Sequence, residues 1–229
     1  LPDDMTDNLI IKNLNKIRED INLSSKSINK NQKKVKLQIV SKQQKEEKIQ
    51  LLINYGHLLF GENKVQEAKL KWENIKKKYP KIRLHYIGSL QTNKAKDAVS
   101  IFDTIECLDR YKLAEKLDYY EKEIDKKLEY YIQVNTGMEK QKGGVNIDEC
   151  EDFLNKCRKN LNLNITGLMC IPPINEEPSL HFALINNLAD KLKLKEKSMG
   201  MSSDYKVAIE FGSSQIRIGQ NIFGPREKI

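Results

Sequence analysis

Eight short apolar or β-branched runs alternate with helical segments along this chain of 229 residues. The predicted strands are Val35 to Val40, Leu58 to Phe60, Leu84 to Ile87, Thr104 to Cys107, Tyr130 to Val134, Ile165 to Met169, a stretch around Met199, and Gln215 to Ile218. Apolar residues three or four positions apart predict the intervening helices, at Gln43 to Tyr55, Val65 to Lys78, Lys94 to Val99, Tyr111 to Tyr120, Ile147 to Lys159, Leu180 to Leu194 and Tyr205 to Phe211. Strands that alternate with helices form parallel βαβ units, and eight units favour a closed (β/α)8 barrel over an open sheet.

The eighth strand is followed by only eleven residues, too few for a full outer helix and a tail. The predicted replacement is an added N-terminal helix over residues 6–23, where Ile10, Leu14, Ile17 and Ile21 form one apolar stripe. The polar residues 24–34 are predicted to be a linker and residues 35–226 the barrel core, so that residues 1–229 form a single domain. Asn63 and Asp204 are the expected N-caps of two helices, and Pro80 is expected to end the second barrel helix.

The chain is basic, with 40 Lys and Arg against 32 Asp and Glu and a net charge of +8. A basic balance is compatible with nucleic-acid binding. The lysines are nevertheless spread along the whole sequence, many with an acidic residue close by, and they form no single stripe with aromatic residues. Solvated helix faces are therefore favoured over a nucleic-acid surface, and an RNA-binding protein is the third functional class considered.

The four cysteines, Cys107, Cys150, Cys157 and Cys170, form no CxxC pair and have no His-rich partner motif. Reduced thiols are favoured over a zinc site or a disulfide framework, and no metal is predicted. The apolar runs are too short to span a membrane, and the N-terminus does not resemble a signal peptide. We expect a cytoplasmic protein without a membrane partner.

Polar residues and glycines follow the predicted strands at the end where barrel enzymes carry their chemistry. Lys42 follows the first strand, where it is either a surface lysine or an amine whose pKa is lowered by partial burial and which attacks an aldehyde. Asn63 follows the second strand, and "HYIGSLQTNK" places Gly88 after the third. "MGMSSD" and "SSQIRIGQNIFG" cover the last two strands, where such barrels often bind phosphate.

Six of these segments, "VSK", "FGENKVQE", "HYIGSLQTNK", "GLMCIP", "MGMSSD" and "RIGQNIFG", resemble in order and separation the pyridoxal-phosphate homeostasis proteins. The resemblance covers about Lys34 to Arg226. It implies a (β/α)8 TIM barrel of the alanine racemase N-terminal type that holds pyridoxal 5'-phosphate (PLP) as a reversible Schiff base. The implied fold agrees with the strand count reached from the sequence pattern.

By this resemblance, Lys42 matches the Schiff-base lysine and Asn63 the amide beside the cofactor. Ser202 matches the hydroxyl that binds the phosphate, and the backbone N–H groups of Gly219 and Gln220 complete the phosphate site. Arg217 resembles the arginine that faces the pyridine nitrogen in alanine racemase and keeps it unprotonated, which weakens the electron sink needed for carbanion chemistry.

The sequence also departs from the family pattern. Gln220 stands where a small hydroxyl residue is usual, and Ser89 replaces a proline. "NTGMEKQKGG" resembles the family segment that ends in Lys-x-Gly, with Lys142 and Gly144 in those places and no role assigned. For His85, a histidine bonded within the barrel wall is favoured over direct contact with the cofactor.

The resemblance leaves two principal functions. The first is intracellular PLP homeostasis and cofactor delivery, with PLP-dependent apo-enzymes as recipients, a monomeric state and no strong catalytic turnover. The second is an amino-acid racemase or a related PLP enzyme. Alanine racemase has a further β-domain, and the partner subunit's domain supplies a tyrosine acid/base. Because no such segment follows Ile229 here, we expect racemisation to lack one of its proton carriers and favour the carrier.

Overall fold

The computed structural model describes residues 2–28 and 34–225. In these ranges the strands are β1 (Lys36–Val40), β2 (Leu59–Glu62), β3 (Arg83–Tyr86), β4 (Thr104–Leu108), β5 (Glu129–Asn135), β6 (Val145–Asn146), β7 (Asn164–Met169), β8 (Glu196–Ser198) and β9 (Gln215–Ile218). The helices are α1 (Pro2–Ile28), α2 (Glu46–Asn54), α3 (Val65–Lys78), α4 (Ala95–Ile101), α5 (Tyr111–Ile124), α6 (Cys150–Asn160), α7 (Pro178–Leu192), α8 (Tyr205–Glu210) and α9 (Gln220–Phe223), and a 3-10 turn covers Thr92–Lys94.

Eight of the strands close into a parallel barrel. Their order is β4-β3-β2-β1-β9-β8-β7-β5, and a further pairing of β4 with β5 closes the ring. The two-residue β6 extends β5 outside the ring, at Val134 and Asn135. Because β1 pairs with β2 on one side and β9 on the other, the first and last barrel strands are neighbours. The predicted (β/α)8 barrel is confirmed.

Helix α1 packs on the outside of the barrel against the short helices α8 and α9. The predicted stripe is buried, with Ile10, Leu14, Ile17 and Ile21 each at most 4% exposed. Asn13 Nδ2 donates to the Ile222 carbonyl of α9 at 3.0 Å, and Tyr205 Oη of α8 donates to Asp20 Oδ2 at 2.7 Å. The added N-terminal helix is therefore confirmed, and it takes the place of a long outer helix after β9.

Several predicted boundaries are wrong. Helix α1 begins at Pro2 and continues to Ile28, so residues 24–28 are helical rather than linker, and residues 29–33 of the predicted linker lie outside the described residues. The strand predicted around Met199 is β8, which ends at Ser198, before Met199. The prediction missed its position because the strand sequence "EKS" lacks an apolar pattern. The N-cap of α3 is Lys64 rather than Asn63. Asp204 is the N-cap of α8, but its carboxylate accepts from the preceding Met201 N–H instead of from the helix.

The interior of the barrel is unusually polar. Glu106 of β4 is bonded by side chains of β1, β3 and β9, namely Gln38, His85 and Gln215, so these side chains meet inside the ring. Arg217 of β9 joins them through Ser198. Barrels of this kind usually fill these layers with Val, Ile and Leu. The apolar core lies instead between the sheet and its helices, where residues such as Trp72, Phe102 and Phe182 are fully buried. Buried polar groups need hydrogen-bond partners, and these side chains supply them to one another as a network.

None of the helices in the described ranges has the length and apolar character that a membrane crossing requires.

Candidate functional site

Lys42 lies in a turn immediately after β1, at the carboxyl end of the barrel strands. Side chains of β2 and α3 hold the residue before Lys42: Ser41 Oγ donates to Glu62 Oε1 at 2.8 Å, and Lys71 Nζ donates to the Ser41 carbonyl at 3.0 Å. The next residue, Gln43, has φ +60°, so the chain reverses before α2 begins. These bonds fix the backbone next to Lys42, whose side chain is partly buried.

Glycine at position 219 lets the end of β9 approach β1 closely. A Cβ atom added to Gly219 would lie 3.2 Å from the Val40 carbonyl oxygen and 3.3 Å from Val40 Cβ. Ile39 and Ile218 are paired in the ladder, so Gly219 is beside Val40, two residues before Lys42. The N–H groups of Gly219 and Gln220 belong to the N-cap and first turn of α9, where the helix itself provides no acceptor.

The loop after β8 meets the same corner. Asn221 Nδ2, in α9, donates to the Ser202 carbonyl at 3.0 Å. This bond joins "MGMSSD" to "RIGQN" and places Ser202 next to the first turn of α9. Sequence reasoning missed Asn221, although an amide directly after Gly219 and Gln220 was a visible signal. The side chain of Gln220 is exposed.

Arg217 is buried at 3% exposure, two residues before Gly219. Its Nη1 donates to Ser198 O at 2.7 Å and to Ser198 Oγ at 2.8 Å, and its Nη2 donates to Cys170 O at 2.9 Å. Three acceptors, two on Ser198 of β8 and one on Cys170 directly after β7, hold the guanidinium in one orientation. The residues of β8 and β9, with Cys170 after β7, therefore hold a fixed positive charge inside the barrel, near the carboxyl ends of its strands.

Glu106 is the centre of the interior network and was not among the predicted site residues. Its Oε1 accepts from Gln38 Nε2 at 2.7 Å, His85 Nδ1 at 2.6 Å and Gln215 Nε2 at 2.6 Å, while its Oε2 accepts from Ser198 Oγ. Burial opposes ionisation, but the His85 hydrogen bond and the charges of His85 and Arg217 lower the pKa of Glu106 below its ordinary value. A glutamate in the apolar run "TIECL" was the signal that could have revealed it.

His85 is bonded within the barrel wall, as predicted. Its Nδ1 contacts Glu106, and its ring lies edge-on to Tyr131 at 6.2 Å between centroids. Ser198 Oγ donates to Glu106 and accepts from Arg217. A series of hydrogen bonds inside the barrel therefore connects His85 to Arg217 through Glu106 and Ser198. Glu106 therefore sets the orientation of the serine that holds Arg217.

Asn63 follows β2 beside the end of β1 and is partly buried. Its carbonyl accepts from Tyr86 Oη at 3.2 Å, and a Cβ added to Gly88 would lie 2.4 Å from the same oxygen. Gly88 thus permits close contact between the loops after β2 and β3. At Ser89, the position of the missing proline, the carbonyl accepts from Tyr86 Oη at 2.9 Å.

The Lys-x-Gly segment is tied to the loop after β4. Gly144 N–H donates to Asp109 Oδ2 at 3.2 Å, and Gly144 has φ +120°, which favours glycine. Lys142 pairs with Glu139 at 2.7 Å. These contacts shape the loop and do not join Lys142 to the residues around Lys42.

The cysteines are buried free thiols, and burial raises the pKa of Cys150 and Cys170 to about 12 and that of Cys157 to about 11. Among the described residues no group of three or more His, Cys, Asp or Glu side chains is arranged to hold a metal ion.

The closed parallel barrel brings the loop after β9 beside the end of β1, and the model of the family "Alanine racemase, N-terminal domain" matches residues 13–227, which places the chain in that class. The pyridoxal phosphate homeostasis protein of Pasteurella multocida is 33% identical over 228 residues, which are 95% of this chain and 98% of the relative. That of Vibrio alginolyticus is 37% identical over 182 residues, 75% of this chain and 78% of the relative. The chain belongs to the family of pyridoxal phosphate homeostasis proteins.

Solved structures agree with this assignment. PipY of Synechococcus elongatus without PLP superposes with a TM-score of 0.84 at 32% identity, over 94% of this chain and 100% of PipY. The structure of PipY with PLP bound gives a TM-score of 0.80 at the same identity and coverage.

Proposed function

We propose that this chain binds PLP at the carboxyl end of its barrel and acts in intracellular PLP homeostasis and cofactor delivery, without strong catalytic turnover. The observation that carries the proposal is the convergence of a partly buried lysine, Lys42, and the Gly219 loop on adjacent strands. Membership of the homeostasis protein family and the PLP-bound structure of PipY support it.

The residues at this corner fit PLP by their chemistry. A Cβ at Gly219 would press on Val40, so glycine lets the loop after β9 pack directly against the end of β1, which carries Lys42. The donors are an amine, a hydroxyl, first-turn N–H groups and a guanidinium, which suit an aldehyde and a phosphate. When bound, PLP supplies an aldehyde that condenses reversibly with an amine.

Each residue then has a binding or positioning role. Lys42 provides the amine, Ser202 and the N–H groups of Gly219 and Gln220 hold the phosphate, and Asn63 lines the pocket wall. Gln220 contributes its backbone and not its exposed side chain. Arg217, fixed by Ser198 and Cys170, would hold the ring nitrogen, to which a permanent cation would donate a hydrogen bond rather than give up its proton.

The same arginine limits the electron sink, but alanine racemase has a matching arginine, so Arg217 alone does not separate a carrier from a racemase. Catalysis at the α-carbon of an amino acid requires the cofactor to act as an electron sink, and a neutral ring nitrogen makes that sink weaker. We assign delivery of PLP to apo-enzymes as the role because the relatives that cover the chain are pyridoxal phosphate homeostasis proteins. A monomeric state and a cytoplasmic location complete the proposal.

Replacing Ser202 by alanine should weaken PLP binding by roughly 1–3 kcal/mol, because one hydrogen bond to a charged group is lost while the backbone donors remain. Equilibrium titration of the apo-protein measures the change. The matched control is Ser203→Ala, at the exposed neighbouring position. Pyridoxal, which lacks the phosphate, should bind far more weakly than PLP. Equal affinities for the two compounds would place the phosphate site elsewhere.

Incubation of the PLP-loaded protein with L-amino acids in deuterium oxide distinguishes the carrier from the racemase. We expect cofactor release to an added apo-enzyme, with neither Cα deuterium nor D-isomer accumulating at enzymatic rates. Chiral chromatography and mass spectrometry follow the amino acid, and recovered apo-enzyme activity follows the cofactor. Rapid exchange at Cα that disappears in Lys42→Ala would establish the enzyme instead.

A further inference from the structure

A cavity opens at the amino-terminal end of the barrel, opposite the proposed PLP site. It has a volume of about 620 Å³ and lies between α1 and the first residues of β1, β2, β3 and β5. Its volume falls within the usual range for small-molecule sites, roughly 300–1,000 Å³. Lys42, Ser202 and Gly219 follow the carboxyl ends of β1, β8 and β9, at the opposite end of the barrel, so this cavity is separate from the proposed PLP site.

The lining of the cavity is predominantly cationic. Four basic side chains line it, Arg18, Lys34, Lys36 and Arg83, against one acidic lining residue, Glu129. Glu129 approaches Arg83 at only 3.9 Å, and Lys36 is paired with Glu196 at 2.8 Å. His57 adds no charge at neutral pH, because burial lowers its pKa to about 4. Counting Glu196, four Lys and Arg side chains face two carboxylates, and His85, which also lines the cavity, is paired with Glu106.

The wall between these charges is apolar and contains an unused hydrogen-bonding group. Ile21, Leu37 and Leu59 form part of it. The Tyr131 ring also lines the cavity, and its hydroxyl, though fully buried, has no hydrogen-bond partner in the described part of the chain. Burial also raises the pKa of Tyr131, so the hydroxyl keeps its proton and remains a donor. A buried donor without a partner calls for a bound water or a ligand.

We propose that this amino-terminal cavity binds a small organic anion, one with an apolar body and a phosphate, sulfonate or carboxylate group. The apolar body packs on Ile21, Leu37 and Leu59. The anionic group is held by Arg18, Lys34 and Arg83 at the rim, where charge-assisted hydrogen bonds to guanidinium groups are strong. The site is independent of Lys42 and does not rest on the PLP assignment.

The probe for the test is 8-anilinonaphthalene-1-sulfonate, an aromatic anion that fluoresces on entering an apolar site. Titration of the full chain should give one saturable site, and inorganic pyrophosphate should displace the probe at constant ionic strength. The double variant Arg18→Glu with Arg83→Glu should weaken binding roughly tenfold or more. Lys42→Ala should leave the probe affinity unchanged.

The matched control is Lys112→Glu with Lys116→Glu on the exposed face of α5, which changes the net charge equally. It should alter the affinity less than twofold. A second variant, Leu58→Trp at the rim, should fill the cavity and abolish binding while circular dichroism and the melting temperature show a folded protein. Absence of saturable binding, equal weakening by the α5 control, or loss of binding in Lys42→Ala would each overturn the proposal.

Discussion

Alanine at position 42 is expected to remove covalent capture of PLP altogether. Borohydride treatment of the PLP-loaded wild type should fix one phosphopyridoxyl group on Lys42, whereas Lys42→Ala should retain only background label. The physical reason is that the amine is the one group of the proposed site that forms a covalent bond, while Ser202 and the Gly219 loop contribute hydrogen bonds only. Loosely held PLP should then be removed by gel filtration.

Lys45→Ala is the matched control, because Lys45 is an exposed lysine in the same loop, three residues further along the chain. It should be labelled like the wild type. Peptide mapping by mass spectrometry identifies the modified lysine in each protein. A full stoichiometric label on another lysine in Lys42→Ala, or no label on the reconstituted wild type, would refute the assignment of Lys42.

The barrel was predictable because its strands are short apolar runs separated by amphipathic helices. The register of β1, β3, β7 and β9 depends on residues whose burial follows from their own character, such as Ile39, Leu84 and Ile218. Strand β8 was misplaced because "EKS" is held by its neighbours: Ser198 pairs with Met169 and Gln215, and the ladder overrides the local pattern. Tertiary context determines such strands.

The proposed site was predictable only in part. Lys42, Gly219 and Ser202 follow strands in sequence, so the rule that barrel chemistry lies at the carboxyl ends of strands locates them. The interior network was not predictable in this way. Gln38, Glu106 and Gln215 come from three strands; Gln38 and Glu106 each interrupt an apolar run, and Gln215 follows two serines at the start of a strand. Only closure of the barrel brings them within hydrogen-bonding distance.

Glutamine in place of Glu106 is expected to destabilise the protein by roughly 3–5 kcal/mol, the usual loss when one partner of a buried charged network is removed. The carboxylate accepts hydrogen bonds from Gln38, His85, Gln215 and Ser198. A glutamine amide of the same shape turns an NH2 group toward some of these donors and leaves Arg217 without its counter-charge. Urea unfolding at pH 7 measures the change. Glu123→Gln, at an exposed pair with Lys96, is the control and should lie within about 1 kcal/mol of wild type.

The pH dependence of this difference separates loss of charge from loss of packing. The pKa of Glu106 in the folded protein is lower than its ordinary value of 4.5, so its ionised form stabilises the fold above about pH 4.5, and this contribution is lost as the pH falls through the folded-state pKa. The gap in unfolding free energy between wild type and Glu106→Gln should therefore narrow on acidification from pH 7 to the lowest pH at which both remain folded. Other carboxylates with lowered pKa values, such as Asp20 and Asp118, titrate in both proteins and cancel in the comparison. A gap that stays constant over this range would mean that Glu106 contributes by its shape and not by its charge, and Arg217 would then be positioned by Ser198 and Cys170 alone.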